Sequence, residues 1–205
     1  MNTSLKFEVN EDCLVVDKSL FDAIIFDCDG TLVDTMPKHY EAWSAALKAV
    51  DAPYELTLED FHGYAGLREQ DVVKVLNQRY QAEVNGDEVA RIKYEEFKKW
   101  IPTIKEISFV ANLARNFYGL KKMAVASGSE LPVVLGCLEG SGLKPMFNII
   151  VTPKDVKKGK PDPEMFLLAA AQMGVEPKKC LVIEDGMAGV KGAISAGMQV
   201  IYIGA

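Results

Sequence analysis

Five short, almost continuous apolar runs punctuate this chain, at residues 21–26, 123–126, 148–151, 181–183 and 200–203. A strand with one wet face alternates apolar and polar side chains. A run that is apolar throughout needs cover on both faces, as in a parallel sheet sandwiched between helices. The intervening segments supply the helices. Residues 106–118 place Ile107, Val110, Ala111, Ala114 and Phe117 at helical spacing, and residues 131–138 run into Gly140 and Gly142 as stop signals. In Asp162-Pro163-Glu164, Asp162 reads as an N-cap and Pro163 as the first helical position, with Gly174 just past the far end. Strands alternating with such helices imply right-handed crossovers. The expected fold is α/β, with a Rossmann-like parallel-sheet core.

Residues 37–100 break that rhythm, with helical periodicity and almost no strand signal. Tyr40, Trp43, Ala46, Leu47 and Val50 form one stripe; Val72, Val73, Val75 and Leu76 belong to a second; Tyr94, Phe97 and Trp100 suggest a third. The expected division is a core from 1–35 and 102–205, with a helical insert at 36–101 joined through segments near 35–37 and 101–103. Within the core, 1–20 is an N-terminal extension with candidate short strands at 5–9 and 13–16.

Charge and composition narrow the function. Twenty-three Lys and Arg against twenty-nine Asp and Glu leave a net charge of −6, which argues against nucleic acid as a partner, since phosphate backbones are bound by basic surface. The longest apolar stretch, 165–171, is far short of the ~18 residues of a membrane span. The first twenty residues carry Glu8, Glu11 and Asp12 and no apolar core, so no secretory leader is expected. The four cysteines, Cys13, Cys28, Cys137 and Cys180, make no C-x-x-C pair. That spacing predicts neither a zinc site nor a dithiol motif and fits a reducing, cytoplasmic setting. With only His39 and His62 available, catalysis would rest on carboxylates.

Open parallel sheets bind ligands beyond the carboxyl ends of their strands, and the informative residues fall there. The first run ends in Asp27-Cys28-Asp29-Gly30-Thr31-Leu32, the second in Ser127-Gly128-Ser129 and the fourth in Glu184-Asp185-Gly186, while Lys160 sits in the loop 157–162. Each has a plainer reading alone. D-x-D is common in turns and calcium loops, although Gly30 comes two positions too early for an EF-hand. Ser127 and Glu184-Asp185 could cap helices, and Lys160 could be a solvated charge. Brought to one sheet edge, however, Asp27, Asp29, Glu184 and Asp185 would repel one another unless a cation sat among them. Oxygen-only ligands favour Mg2+, then Ca2+.

These residues, in this order, resemble the haloacid dehalogenase-like hydrolase superfamily, in the branch with a helical cap after the first strand. The first motif, D-x-D-G-T-[LV]-x-D-T, is matched by Asp27, Asp29, Gly30, Thr31, Leu32, Asp34 and Thr35. The others are matched by Ser127, by Gly159-Lys160-Pro161 and by Glu184-Asp185. The similarity runs from about Phe21 to Ala205.

The resemblance implies Mg2+-dependent phosphoryl transfer. Asp27 would attack phosphorus to give an aspartyl-phosphate, and Asp29 would serve as acid and base. Thr31, Ser127, Gly128 and Lys160 would hold phosphoryl oxygens. The metal would sit among Asp27, the Asp29 backbone carbonyl, Glu184 and Asp185. His39, Gly66 and Arg68 in the cap would bear on the acid/base or on substrate choice. The expected partner is a small phosphorylated metabolite, a sugar phosphate, for a chain that is a monomer or weak dimer.

Two subfamilies fit: sugar phosphatases of the fructose-1-phosphatase type, and β-phosphoglucomutases interconverting β-glucose 1-phosphate and glucose 6-phosphate. Mutases grip a second phosphate with a Lys-Asn pair three and four residues after the Ser. Here those positions are Glu130 and Leu131, and an anion opposes a phosphate, so the phosphatase is favoured. A non-catalytic binding protein on the same fold is a third reading, set against the presence of every motif residue the chemistry needs.

Overall fold

The structure, a computed structural model, describes residues 9–10, 13–14, 20–64 and 67–204. Strands β1 (Val9–Asn10) and β2 (Cys13–Leu14) form a small antiparallel hairpin apart from the main sheet. The rest of the candidate strands at 5–9 and 13–16 lies outside the described residues.

The chain then enters β3 (Ala23–Phe26) and passes through four helices: α1 (Met36–Ala49), α2 (Leu58–Gly63), α3 (Glu69–Tyr80) and α4 (Gly86–Phe97). It continues through α5 (Ser108–Phe117), β4 (Lys122–Ala126), α6 (Leu131–Gly140), β5 (Ile149–Val151), α7 (Glu164–Met173), β6 (Cys180–Glu184), α8 (Met187–Ser195) and β7 (Gln199–Tyr202). The five strands pair in parallel in the order β5-β4-β3-β6-β7, as the apolar runs predicted.

Each strand face meets its own helices. Ile24, Phe26, Val125 and Ile183 pack with apolar residues of α5 and α6, such as Val110, Ala114, Val134 and Leu138. Ala23, Ile25, Ala124 and Val182 face Met165, Phe166 and Ala169 of α7 and Ala193 of α8. Two-sided cover explains why these strands carry no polar alternation. Asp162 does accept a hydrogen bond from the Glu164 amide, at 3.1 Å, but α7 begins one residue later than expected, so Pro163 rather than Asp162 holds the N-cap position. Gly174 ends that helix with φ +63°.

Helices α1–α4 bury a separate apolar cluster that includes Trp43, Ala46, Leu47, Phe61, Val72, Val73, Leu76 and Val89. Val75 and Trp100 depart from their expected stripes and remain exposed. Helix α2 was not expected; Thr57 caps it by accepting from the Asp60 amide at 3.0 Å. The two segments joining this layer to the sheet run side by side. Val33 bridges Glu106 in antiparallel fashion, the Asp34 amide donates to the Lys105 carbonyl and the Ile107 amide to that of Leu32. No helix among the described residues is long and apolar enough to cross a membrane.

Candidate active site

β3 is the central strand, with β4 and β5 following on one side and β6 and β7 on the other, so the order reverses beside β3. The crevice beyond its carboxyl end is where an open α/β sheet binds ligands. Asp27 leaves β3 with its amide bonded to the Ile183 carbonyl at 2.9 Å, and Ser127 leaves β4 bonded to the Val151 carbonyl at 3.0 Å. Glu184 is the last residue of β6. Sheet register therefore aligns all three.

Lys160 is buried between two carboxylates, its Nζ donating to Asp27 Oδ1 at 2.6 Å and Glu184 Oε1 at 2.5 Å. Glu184 Oε2 accepts from the Gly186 amide at 2.6 Å. Asp185 accepts from Thr31 Oγ1 at 3.0 Å. The Thr31 hydroxyl is thus turned to a carboxylate.

Asp27, Glu184 and Asp185 each present a carboxylate oxygen, all within 4.8 Å of one another. The backbone makes room for two of them. A Cβ on Gly30, itself at φ +78°, would fall 2.1 Å from Asp185 Oδ2, and one on Gly189 would fall 1.7 Å from Glu184 Oε1. Burial pushes the Asp27 carboxyl well above its ordinary value; Lys160 pulls it down, and Glu184, Asp185 and Asp29 add to the rise. Asp185 is pushed up to about 7, by burial first and Glu184 second. Three clustered carboxylates with one ammonium form an oxygen-rich, electron-dense site that fits a hard divalent cation.

Asp29 has different company. Its Oδ1 accepts from Thr35 Oγ1 at 2.8 Å and lies 3.0 Å from His39 Nε2, while Ser127 Oγ approaches Oδ2 at 3.4 Å. Thr35 holds the N-cap position of α1 but makes no side-chain cap bond; its hydroxyl serves Asp29. Burial alone would raise the Asp29 carboxyl, but His39 and hydrogen bonds from His39, Ser129 and Thr35 hold it below the ordinary carboxylate range. His39 is lowered by burial and then by nearby Lys93, against the pull of Asp29. A neutral ring donating from Nε2 leaves Nδ1 bare, consistent with Nδ1 being buried without a partner. The ring stacks on Phe97, centroids 3.9 Å apart.

A cleft lies between the sheet edge and the helical layer. Asp27, Asp29, Gly128, Glu184 and Asp185 line one side; His39, Trp43, Tyr64, Glu69 and Lys93 line the other. Arg68 does not line it. It pairs with Asp71 at 2.8 Å and lies near Gly159, beside Lys158 and Lys160. Gly66 lies outside the described residues.

Sequence reasoning missed Thr35 as a partner of Asp29, Gly189 as the seat of Glu184, and the pair Glu69–Lys93. Only Thr35 carried a local signal, as the last position of the first motif.

A doubly covered parallel sheet, with a cation-ready carboxylate cluster and a buried lysine at its switch point, defines a Rossmann-like protein with a candidate cation site. The chain belongs to the haloacid dehalogenase-like hydrolases: the profile of that hydrolase family matches residues 21–197. Among its relatives, the fructose-1-phosphate phosphatase YqaB of Escherichia coli is 33% identical over 181 residues, covering 88% of this chain and 95% of the relative. The β-phosphoglucomutase of Bacillus subtilis is 31% identical over 192 residues, covering 89% and 83%. The crystal structure of β-phosphoglucomutase from Clostridium difficile superposes with a TM-score of 0.78 at 25% identity, covering 90% and 85%.

Proposed function

We propose that this protein is a Mg2+-dependent phosphatase of small sugar phosphates that works through an aspartyl-phosphate on Asp27. The observation that carries the reading is the contrast between two carboxylates only two residues apart. Asp27 faces Lys160 and the acidic cluster, whereas Asp29 is turned to Thr35 and His39. Carboxylates in divergent surroundings are how one site supports a nucleophile beside an acid/base.

Asp27, Glu184 and Asp185, with the Asp29 carbonyl, would hold the cation. Bound there, it would neutralise phosphoryl charge as a Lewis acid. Lys160 Nζ and the Ser127-Gly128 segment would bind the remaining phosphoryl oxygens. An Asp27 carboxylate oxygen attacks phosphorus as the bond to the sugar oxygen breaks, and Asp29 gives that oxygen its proton. Water then attacks the acyl phosphate, Asp29 takes the water's proton, and phosphate leaves with Asp27 restored. The donors from His39 and Thr35 keep Asp29 ionised at rest, ready for the water step; a phosphoryl anion alongside raises its proton affinity for the acid step. The helical layer serves as a cap, excluding water and meeting the leaving group. A mutase needs cations for a second phosphate, yet Glu130 lines the adjoining cavity and the two cations there are already paired, Lys93 with Glu69 and Arg68 with Asp71.

The test is phosphate release from para-nitrophenyl phosphate and a panel of hexose phosphates. We expect turnover that chelation abolishes and Mg2+ restores, and that Asp27→Asn lowers at least about a thousandfold. Absence of turnover on every ester would favour the non-catalytic reading. Efficient conversion of β-glucose 1-phosphate to glucose 6-phosphate would favour the mutase.

A further inference from the structure

The cap side of the cavity contains a part-buried ion pair that phosphoryl transfer does not use. Lys93 Nζ, on α4, donates to Glu69 Oε1, on α3, at 2.6 Å, and lies 5.5 Å from the centroid of the Trp43 ring on α1. The lysine is 7% exposed, whereas the Glu69 side chain keeps 26% accessible and lines the cavity. Burial would raise the Glu69 carboxyl, but Lys93 outweighs it and holds the group ionised. Three helices therefore bring an acceptor and a donor, the latter held over an indole, to the wall opposite Asp27.

We propose that Glu69, oriented by Lys93 and Trp43, is the residue that selects the leaving group, binding the hydroxyls of a polyol monophosphate and turning away esters with a second phosphate. The inference rests on the phosphatase reading and assigns its substrate class. A carboxylate oxygen accepts sugar hydroxyls, and the ammonium has donors beyond the one its ion pair uses. A site built to bond hydroxyls penalises a ligand without them, because its buried polar groups are left unpaired. Exclusion follows from charge. Among the described residues lining this cavity, Lys93 is the only Lys or Arg, and its charge is already met by Glu69. A distal phosphate would face the Glu69 anion, with Glu130 in the adjoining cavity, where the Arg68 guanidinium is paired with Asp71.

The experiment compares kcat/KM for fructose 1-phosphate, fructose 1,6-bisphosphate and para-nitrophenyl phosphate, with Mg2+, in wild type, Glu69→Gln and the double variant Glu69→Gln, Lys93→Met. The double variant avoids leaving a lone buried ammonium, and thermal unfolding checks both. Wild type is expected to prefer the monophosphate to the bisphosphate by at least about tenfold, with the bisphosphate penalty in KM. Both variants should shrink that preference about tenfold or more, and also narrow the advantage of the sugar ester over para-nitrophenyl phosphate. A wild type that takes mono- and bisphosphate equally well overturns the proposal, as does a common loss on all three substrates with both ratios unchanged. A wild type that hydrolyses none of the three overturns the phosphatase reading itself.

Discussion

Asp27 and Asp29 have the same side chain and lie on the same turn, so neighbours alone set their behaviour. The neighbour easiest to remove is His39. In His39→Ala, Asp29 loses a donor that favours its ionised form, so its carboxyl rises. We expect kcat to fall about tenfold or more and the acidic limb of the kcat profile to move to higher pH. A kcat–pH series would check this, and an unshifted limb would mean that His39 only packs against Phe97. Residue-scale legibility followed sequence distance. Asp27 to Thr35 lie in nine consecutive positions and announce themselves as a motif. Glu69 and Lys93 are twenty-four positions apart on two helices, and each reads alone as a solvated helical charge, because nothing local encodes their meeting.

At the scale of elements, the strands were the most legible part, since burial on both faces writes itself into every residue of a short run. Helix α2 was missed because six residues are too few to establish a period. Helix α8 is instructive for another reason: it carries mid-helix Gly189 and Gly192, each about 1 kcal/mol worse than alanine by propensity. Close approach accounts for both. A Cβ on Gly192 would lie 3.0 Å from Phe166 Cε2 and 3.3 Å from the Asp162 carbonyl, while one on Gly189 would strike Glu184. Overpacking at about 1–3 kcal/mol outweighs the propensity gain. Gly192→Ala should lower Tm by a few degrees, roughly 2–4 °C per kcal/mol, and leave turnover near wild type. Gly189→Ala should instead raise the Mg2+ concentration needed for half-maximal rate, because Glu184 loses its seat. Equal Mg2+ curves for the two variants would refute the distinction.

For the whole molecule, the unbalanced carboxylates make stability depend on pH in a particular direction. Asp185 at about 7 and the raised Asp27 bind protons more tightly folded than unfolded. Their ionisation therefore weakens the cation-free fold as pH rises from about 4 toward and through 7. Asp29, held low, acts oppositely: its contribution is present above about pH 4 and is lost below it, as pH falls through its folded value. Between about pH 4 and 7 the two raised carboxylates outweigh the single lowered His39 ring, which acts the other way below about pH 6.5, so chelated protein should have a higher Tm at pH 5.5 than at pH 8, and added Mg2+ should raise Tm more at pH 8. Thermal unfolding at both values, with and without Mg2+, checks the sign. A larger Mg2+ effect at pH 5.5 would contradict the assignment of the acidic cluster.

The paired backbone of the two connecting segments bears on timing. Val33 bridges Glu106 where the helical layer joins the sheet, and Thr35 and His39 follow on the layer's side of that ribbon. Swinging that layer away would carry off the two donors on Asp29 in the same motion that admits solvent. In the proposed mechanism, exposure to water and the proton affinity of Asp29 would share a single mechanical coordinate, and the site would be primed for chemistry only while shut.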